Sequence, residues 1–492
     1  MSLCPNDPES WLIGAAGRWK DEHGLSWQGR EWTFDALLAE ARGRVASLSS
    51  MGLRWGEPIA VIAGRSHCIA TMLYTALLGG SPILPVIPTA RSLTRLLAHC
   101  RIAQVVHGEE VIELPEHVRC FPVPPSLPSA PEPVVRPCRG LPDTVQLLLA
   151  TSGTTGEPRV VMLSAPALAA SADGSVKRLD LRPGDLWLDC LPLQHIGGLA
   201  ILLRCLSAGA CVLLHEGFDE VRVWQDLRQR AVTHLSLVPA MLWRLLEHCG
   251  DRPAPVALRK VLLGGGPVAA SLLERSRAAG WPVCVGYGMT ETSSHVALSC
   301  ADEPDWSPGA VGCALPGVRI DVVEPAAESV DGSGRIRVRG PVLMSGYCEG
   351  DGNIGNGLEG DGEFLTGDVG RIDRRGRLHV LGRADEILVS GGINVHPAQV
   401  EKHLLRCPGV RDAAVTARNN PIWGEVLVAL VTGEVKVQEL VAWCRANLPS
   451  SIRPRELHIV DRLPRGSLGK LDRRTLRDIV RRMSSHPLNP RR

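Results

Sequence analysis

The octapeptide TSGTTGEP, residues 151–158, places four hydroxyl side chains, Thr151, Ser152, Thr154 and Thr155, around Gly153 and Gly156. It follows an apolar run, VQLLLA, that reads as a strand. Glycine lets a backbone adopt unusual dihedrals and approach a ligand closely. Successive N–H groups in such a turn form an anion nest, and the hydroxyls add neutral donors. That combination suits a polyphosphate. It is not the Gly-Lys-Ser/Thr phosphate loop, because Glu157 follows Gly156. A polar turn between two elements would use the same residues.

Three further segments could carry related chemistry. VGYGMTETSSH, residues 285–295, sets Tyr287, one of 3 tyrosines, between glycines. Its ring could stack on a base, and Glu291 could help to hold the Mg²⁺ that accompanies phosphate. The alternative is a strand-to-helix turn capped by Thr290. In FLTGDVGRIDRRGRLHVLGRADE, residues 364–386, Asp368 could accept both hydroxyls of a ribose, with Arg383 in reach of the same sugar or phosphate. A hairpin turning at residues 373–376 fits the same stretch. In PRGSLGKLDRR, residues 464–474, Lys470 is one of only six lysines and sits on a glycine-flanked loop. It could meet negative charge as that charge develops, or be a solvated tail lysine. His195, in LPLQHIGGLA, would touch a substrate or be a satisfied core histidine. Arg204, nine residues on and set among apolar neighbours, needs an anionic partner from substrate or protein.

The elements that must position these groups alternate. Residues 34–41 and 66–78 read as helices, and residues 58–63 as a buried strand. Further strands are expected at residues 145–150, 210–214, 236–238, 261–263 and 283–285, with helices between them, so an α/β domain is expected. The proline-rich residues 121–137 read as an irregular connection. Beyond residue 312, GRIRVRG and GRLHVLGR suggest a β-rich subdomain. A compact α+β unit should close the chain, with helices at residues 397–405 and 437–447 and strands at residues 413–417 and 426–431.

Composition narrows the function classes. The 492 residues exceed one simple core. A net charge of +2 gives no reason to expect nucleic acid. The 15 cysteines lack a CxxC pair and read mostly as buried small hydrophobes rather than a disulfide framework. There is no signal-peptide pattern at the N-terminus and no apolar run long enough for a membrane span, so a cytoplasmic enzyme is expected. The apolar residues 72–88 read as a buried helix entering a strand. Neither a Ser/His/Asp triad nor an internal repeat is legible, and the oligomeric state, homo-oligomer included, is left open.

Taken in order and spacing, TSGTTGEPRVVMLS, YGMTET, TGDVGRIDRRGRLHVLGRADE, SGGINVHPAQVE and PRGSLGK resemble the acyl-adenylate-forming superfamily of acyl-CoA synthetases, adenylation domains and luciferases. The resemblance spans nearly the whole chain. It implies a large domain, residues 1–384, binding AMP and acid, and a small mobile domain, residues 385–492, with its hinge at Asp385. By the same resemblance, residues 151–156 would cradle the pyrophosphate of ATP, with Thr155 near the metal. Thr290 and Glu291 would contact the α-phosphate and Mg²⁺, while Asp368 and Arg383 would serve the ribose. Lys470 would support adenylation, and Gly391 and Gly392 would line the path of coenzyme A. Residues 232–246 and the His195–Arg204 spacing are similar to the o-succinylbenzoate–CoA ligase subfamily of menaquinone biosynthesis, in which the corresponding arginine helps to bind a substrate carboxylate. Other aromatic or fatty acid–CoA ligases, and adenylation enzymes that load a carrier protein, share the motifs.

Several positions depart from the family pattern. Arg159 and Val160 stand where lysine and glycine are usual, Gln194 where an aromatic residue is common before His195, Ile393 for glutamate, and Glu386 for the lysine after the hinge aspartate. These bear on the acid substrate more than on the reaction class.

Overall fold

The computed structural model describes residues 3–483 apart from 5, 87–92, 110–113, 125–143, 153–157, 251, 301–302, 304–309, 324–331, 351–353, 356, 361, 387, 391–392, 421–423 and 466–470. The architecture is a large N-terminal α/β domain with a β-rich subdomain, followed by a smaller α+β domain.

Two large sheets build the first part. One has nine strands in the order Cys313–Ala314, Ser294–Cys300, Val283–Met289, Lys260–Leu263, His234–Leu237, Leu186–Asp189, Cys211–Leu214, His23–Trp27 and Arg30–Thr33. From Val283–Met289 to His23–Trp27 its neighbours run parallel. Such strands are buried on both faces, which explains near-continuous apolar runs such as CVLL at residues 211–214. The other sheet has eight strands and includes Val145–Ser152 paired antiparallel with Pro158–Ser164. Side chains from both sheets and from helices Glu9–Arg18, Phe34–Ser50, Ser66–Leu78, Ala165–Leu179 and Ile196–Ala208 merge into one core. A second core covers the opposite face of the nine-stranded sheet, under helices Glu220–Gln229, Pro239–Cys249 and Ala270–Ala278.

Local chemistry sets the helix starts. Thr33 Oγ1 accepts the Ala36 amide at 3.1 Å and opens Phe34–Ser50. Ser164 caps Ala165–Leu179, with a proline in the first turn. The helix expected at residues 34–41 therefore runs on to Ser50, because the buried face continues through Val45 and Leu48. Helices Ser66–Leu78 and Val437–Asn447 lie where the sequence places them.

A four-stranded sheet, Arg319–Val323, Gly334–Arg339, Phe364–Ile372 and Leu378–Arg383, forms the β-rich subdomain. The last two strands make the hairpin expected around residues 373–376. The C-terminal unit is a five-stranded sheet with helices Pro397–Leu404, Val437–Asn447 and Arg473–Arg482 and its own core. No helix among the described residues is long and apolar enough to cross a membrane.

The cysteine reading needs one correction. Cys100, Cys190, Cys205, Cys249 and Cys348 are buried free thiols, as expected. Cys284 and Cys300, however, face each other across the antiparallel pair Val283–Met289 and Ser294–Cys300 and are joined as a disulfide. Only the hairpin register brings these two side chains together.

Candidate active site

Three sheets meet where the strand Val283–Met289 ends. In open α/β sheets ligands bind outside the carboxyl ends of parallel strands. Here that end carries Tyr287, Thr290 and Glu291, and each neighbouring sheet contributes a partner.

Tyr287 is 9% exposed, its ring packed into the main core. Its hydroxyl donates to Asp368 Oδ2 at 2.8 Å, tying the nine-stranded sheet to the subdomain. Burial, then the Asp368 charge, pushes the Tyr287 phenol well above its ordinary range, so it stays a donor. Asp368 lies opposite Arg383 in the hairpin ladder, with Arg383 Nη1 3.9 Å from its Oδ1. A bulge at Val369 and Gly370 turns the strand locally. A Cβ on Gly367 would come within 2.5 Å of Arg383 Nη2, so the guanidinium would have to shift to admit one. Arg383 also grips Asp385 with two bonds, Nε to Oδ1 at 2.8 Å and Nη2 to Oδ2 at 3.0 Å. That fork holds the Asp385 carboxyl below its usual range.

Glu291 sits in the 3-10 turn Thr290–Thr292. The Tyr347 hydroxyl donates to its Oε1 at 3.0 Å, and the Met344 amide donates to its backbone carbonyl at 2.9 Å. Its second carboxylate oxygen has no hydrogen-bond partner among the described residues. Among those residues no group of three His, Cys, Asp or Glu side chains gathers as a metal cage. A single available carboxylate suits Mg²⁺, which is commonly held by one or two carboxylates plus substrate phosphates and water.

The capping expectation at Thr290 is corrected. The Met289 amide donates to the Thr292 hydroxyl at 3.0 Å, and the chain returns as the antiparallel strand Ser294–Cys300 rather than a helix. The return is tight: a Cβ on Gly288 would overlap the backbone of Ser294 and His295. Ser293 and Ser294 both take positive φ, 52° and 120°. Such strain costs on the order of 1–3 kcal/mol per residue and persists only when surroundings enforce it. Thr292 Oγ1 donates to Ser294 O at 2.7 Å and Ser171 Oγ to Ser293 O at 2.7 Å.

Arg204 supplies a third brace. It is 2% exposed, and its Nη2 donates to Ser294 Oγ at 2.7 Å and lies 3.2 Å from His295 Nδ1. Burial pushes the nearby Asp189 carboxyl up to about 8 and, with the Arg204 charge, holds His295 well below its usual range. Both bonded partners are neutral, so these contacts do not supply the anionic partner that the sequence demanded for Arg204. His195 is half-buried and begins helix Ile196–Ala208 without a side-chain cap bond.

Thr151 and Ser152 close the strand Val145–Ser152, and Ser152 pairs with Pro158 across the hairpin neck. Thr151 Oγ1 donates to the Arg159 carbonyl at 3.2 Å. Gly153, Thr154, Thr155 and Gly156 lie outside the described residues, as do Gly391, Gly392 and Lys470. Sequence reasoning missed Tyr347, although tyrosine is scarce enough here that each one merited scrutiny.

The AMP-binding enzyme model matches residues 14–348, and the model of the AMP-binding enzyme C-terminal domain matches residues 399–470. The 2-succinylbenzoate–CoA ligase of Bacillus cereus is 33% identical over 495 residues, covering 98% of this chain and 100% of the relative. Among solved structures, the o-succinylbenzoate CoA synthetase of Bacillus subtilis in complex with the acyl-adenylate intermediate OSB-AMP superposes with a TM-score of 0.83 at 28% identity, over 95% of this chain and 98% of that one. ATP-bound MatB from Rhodopseudomonas palustris gives 0.84 at 26% identity, over 96% and 99%. With the match running through the turn that carries Glu291 and the strands that face it, the chain belongs to the AMP-binding enzyme family.

Proposed function

We propose that this chain is an ATP-dependent acid–CoA ligase that converts o-succinylbenzoate to o-succinylbenzoyl-CoA through an acyl-adenylate, a step of menaquinone biosynthesis. The observation that carries the reading is the end-to-end likeness to 2-succinylbenzoate–CoA ligases at 33% identity, together with the placement of Asp368 and Glu291 around one strand end.

Two half-reactions follow. The acid carboxylate, already ionised, attacks the α-phosphorus of ATP. An acyl–O–P bond forms, and the bond to pyrophosphate breaks. The CoA thiolate then attacks the acyl carbonyl, the C–S bond forms, and AMP leaves. Asp368, with Arg383 beside it, would take the ribose hydroxyls. Residues 151–156 would cradle the phosphates, Thr290 the α-phosphate, and Lys470 the charge that develops there. Glu291 and Thr155 would hold Mg²⁺, which supplies charge neutralisation on the polyphosphate when bound. Rotation of residues 385–492 about Asp385 would remove Lys470 and bring Gly391 and Gly392 to the thioester step, so one pocket serves two transition states. His195 and Arg204 are proposed for the acid side.

Arg204 also favours a second reading. Because its Nη2 is engaged by Ser294 and His295, an aromatic or fatty acid without a second carboxylate is the rival substrate class. Mass spectrometry of CoA thioesters over a panel of acids separates the two. Preference for o-succinylbenzoate supports the proposal. Preference for a monocarboxylic acid keeps the chemistry and removes the menaquinone assignment, and adenylate without thioester points to a carrier-protein acceptor.

A further inference from the structure

We propose that Tyr347 is the positioning residue for Glu291, and that it divides the carboxylate between two tasks: Oε1 is committed to the phenol, and Oε2 faces the divalent cation carried by the nucleotide. This rests on the reading of Glu291 as the cation carboxylate.

The geometry is a two-point hold from one short segment. The Met344 amide fixes the backbone carbonyl of Glu291 at 2.9 Å, and the Tyr347 hydroxyl fixes its Oε1 at 3.0 Å. The segment is itself pinned to the strand that follows the glycine- and hydroxyl-rich turn. The Ser345 amide donates to Met162 O at 2.9 Å, and Tyr347 pairs with Val161 in an antiparallel ladder. Arg159 lies over the Tyr347 ring, its Cζ 5.3 Å from the centroid. At that distance the cation attracts the ring face and helps to fix its plane. The phenol donates and the carboxylate accepts, so the hold runs from Tyr347 to Glu291.

A glutamate side chain loses rotamer freedom when it is ordered. A carboxylate already held through one oxygen has less left to lose on meeting a cation. The Tyr347 contact spans 56 residues of sequence and joins the eight-stranded sheet to the end of the nine-stranded one. The same tie therefore sets the height of Glu291 relative to the strand Pro158–Ser164. It also gives Arg159 a task where the family usually carries lysine: a planar guanidinium stacks on a ring better than an ammonium does.

The test is Y347F, which removes one oxygen atom, with R159M as a second variant and E291Q as the reference. Three quantities are read: the Mg²⁺ concentration that half-saturates pyrophosphate release, Mn²⁺ affinity of the enzyme with a non-hydrolysable ATP analogue by electron paramagnetic resonance, and thioester formation from supplied acyl-adenylate. In Y347F the half-saturating Mg²⁺ should rise about tenfold, the size of one hydrogen bond to a charged group. Mn²⁺ binding should weaken in parallel, excess Mg²⁺ should restore the rate, and the thioester step should be unchanged. R159M should move the first two quantities the same way by less. An unaltered cation requirement in Y347F beside a shifted one in E291Q overturns the role of Tyr347 alone. An unaltered requirement in both variants overturns the reading of Glu291 on which it rests.

Discussion

Asp368 and Glu291 are the two carboxylates at the end of the strand Val283–Met289, and a tyrosine hydroxyl holds each of them. Tyr287 donates to Asp368 at 2.8 Å and Tyr347 to Glu291 at 3.0 Å. Two of the 3 tyrosines in the chain are spent this way. The difference lies in the cation. Asp368 has the Arg383 guanidinium 3.9 Å away, a cation that it shares with Asp385. No salt bridge within 4.0 Å is formed by Glu291 among the described residues. A carboxylate beside an arginine suits neutral hydroxyl ligands, which need acceptors but bring no charge. One without a protein cation suits a metal ion. In the proposed ligase a single motif, a carboxylate under a phenol, would serve two chemistries according to whether an arginine joins it.

The sharpest way to break the comparison is Glu291→Gln. Adenylate formation should fall by about 100-fold or more, the scale of losing one preorganised charge contact, and the Mg²⁺ requirement should rise. Asp368→Asn should give the other signature: an ATP KM roughly 10- to 100-fold higher, as expected for charged hydrogen bonds, with no change in Mg²⁺ dependence. If the two variants share one signature, the division of tasks is wrong. Tyr287→Phe should be milder, about threefold in ATP KM, because Arg383 still faces Asp368. A loss as large as that in the Asp368 variant would mean that the phenol, not the guanidinium, sets that carboxylate.

The smallest effect concerns the brace behind Glu291, which Asp368 lacks. Folded His295 is held neutral by burial and by Arg204, its pKa depressed. The unfolded chain takes up a proton there as pH falls through about 6.5. Stability present above that pH is therefore progressively lost below it. Asp189 has the opposite sign: raised to about 8 by burial, it withholds stability as pH rises from the usual carboxylate range. The difference between wild type and His295→Gln in urea unfolding isolates the histidine, and it should shrink below pH about 6. A constant difference from pH 5 to 8 would show that His295 does not titrate on unfolding.

Some of this was legible in the sequence because it is local. Asp368, Arg383 and the hairpin between them follow from strand alternation around a charged turn. The helix Val437–Asn447 follows from its apolar spacing and the Glu439 side chain that accepts the Lys436 amide. Other features depend on contacts across the chain. Tyr347 meets Glu291 only because Met162 and Ser345 set the register of two strands far apart in sequence. Glu386, odd for its family, finds Arg473 at 3.2 Å, and Arg473 is also bonded to Glu401 at 2.9 Å. That local charge exchange is invisible until the C-terminal sheet folds. For Arg204 the sequence demanded an anionic partner from substrate or protein, and its neutral contacts with Ser294 and His295 depend on the fold.

The most direct test of the central claim is a single-turnover reaction of the enzyme with ATP and o-succinylbenzoate, first without CoA and then with it, resolving nucleotides and acyl species together. The account predicts AMP-linked o-succinylbenzoate and pyrophosphate in the first stage and conversion of that adenylate to thioester and AMP in the second. Lys470→Ala should block the first stage yet still consume supplied adenylate. Formation of ADP and phosphate, or thioester appearing with no adenylate before it, would contradict the account.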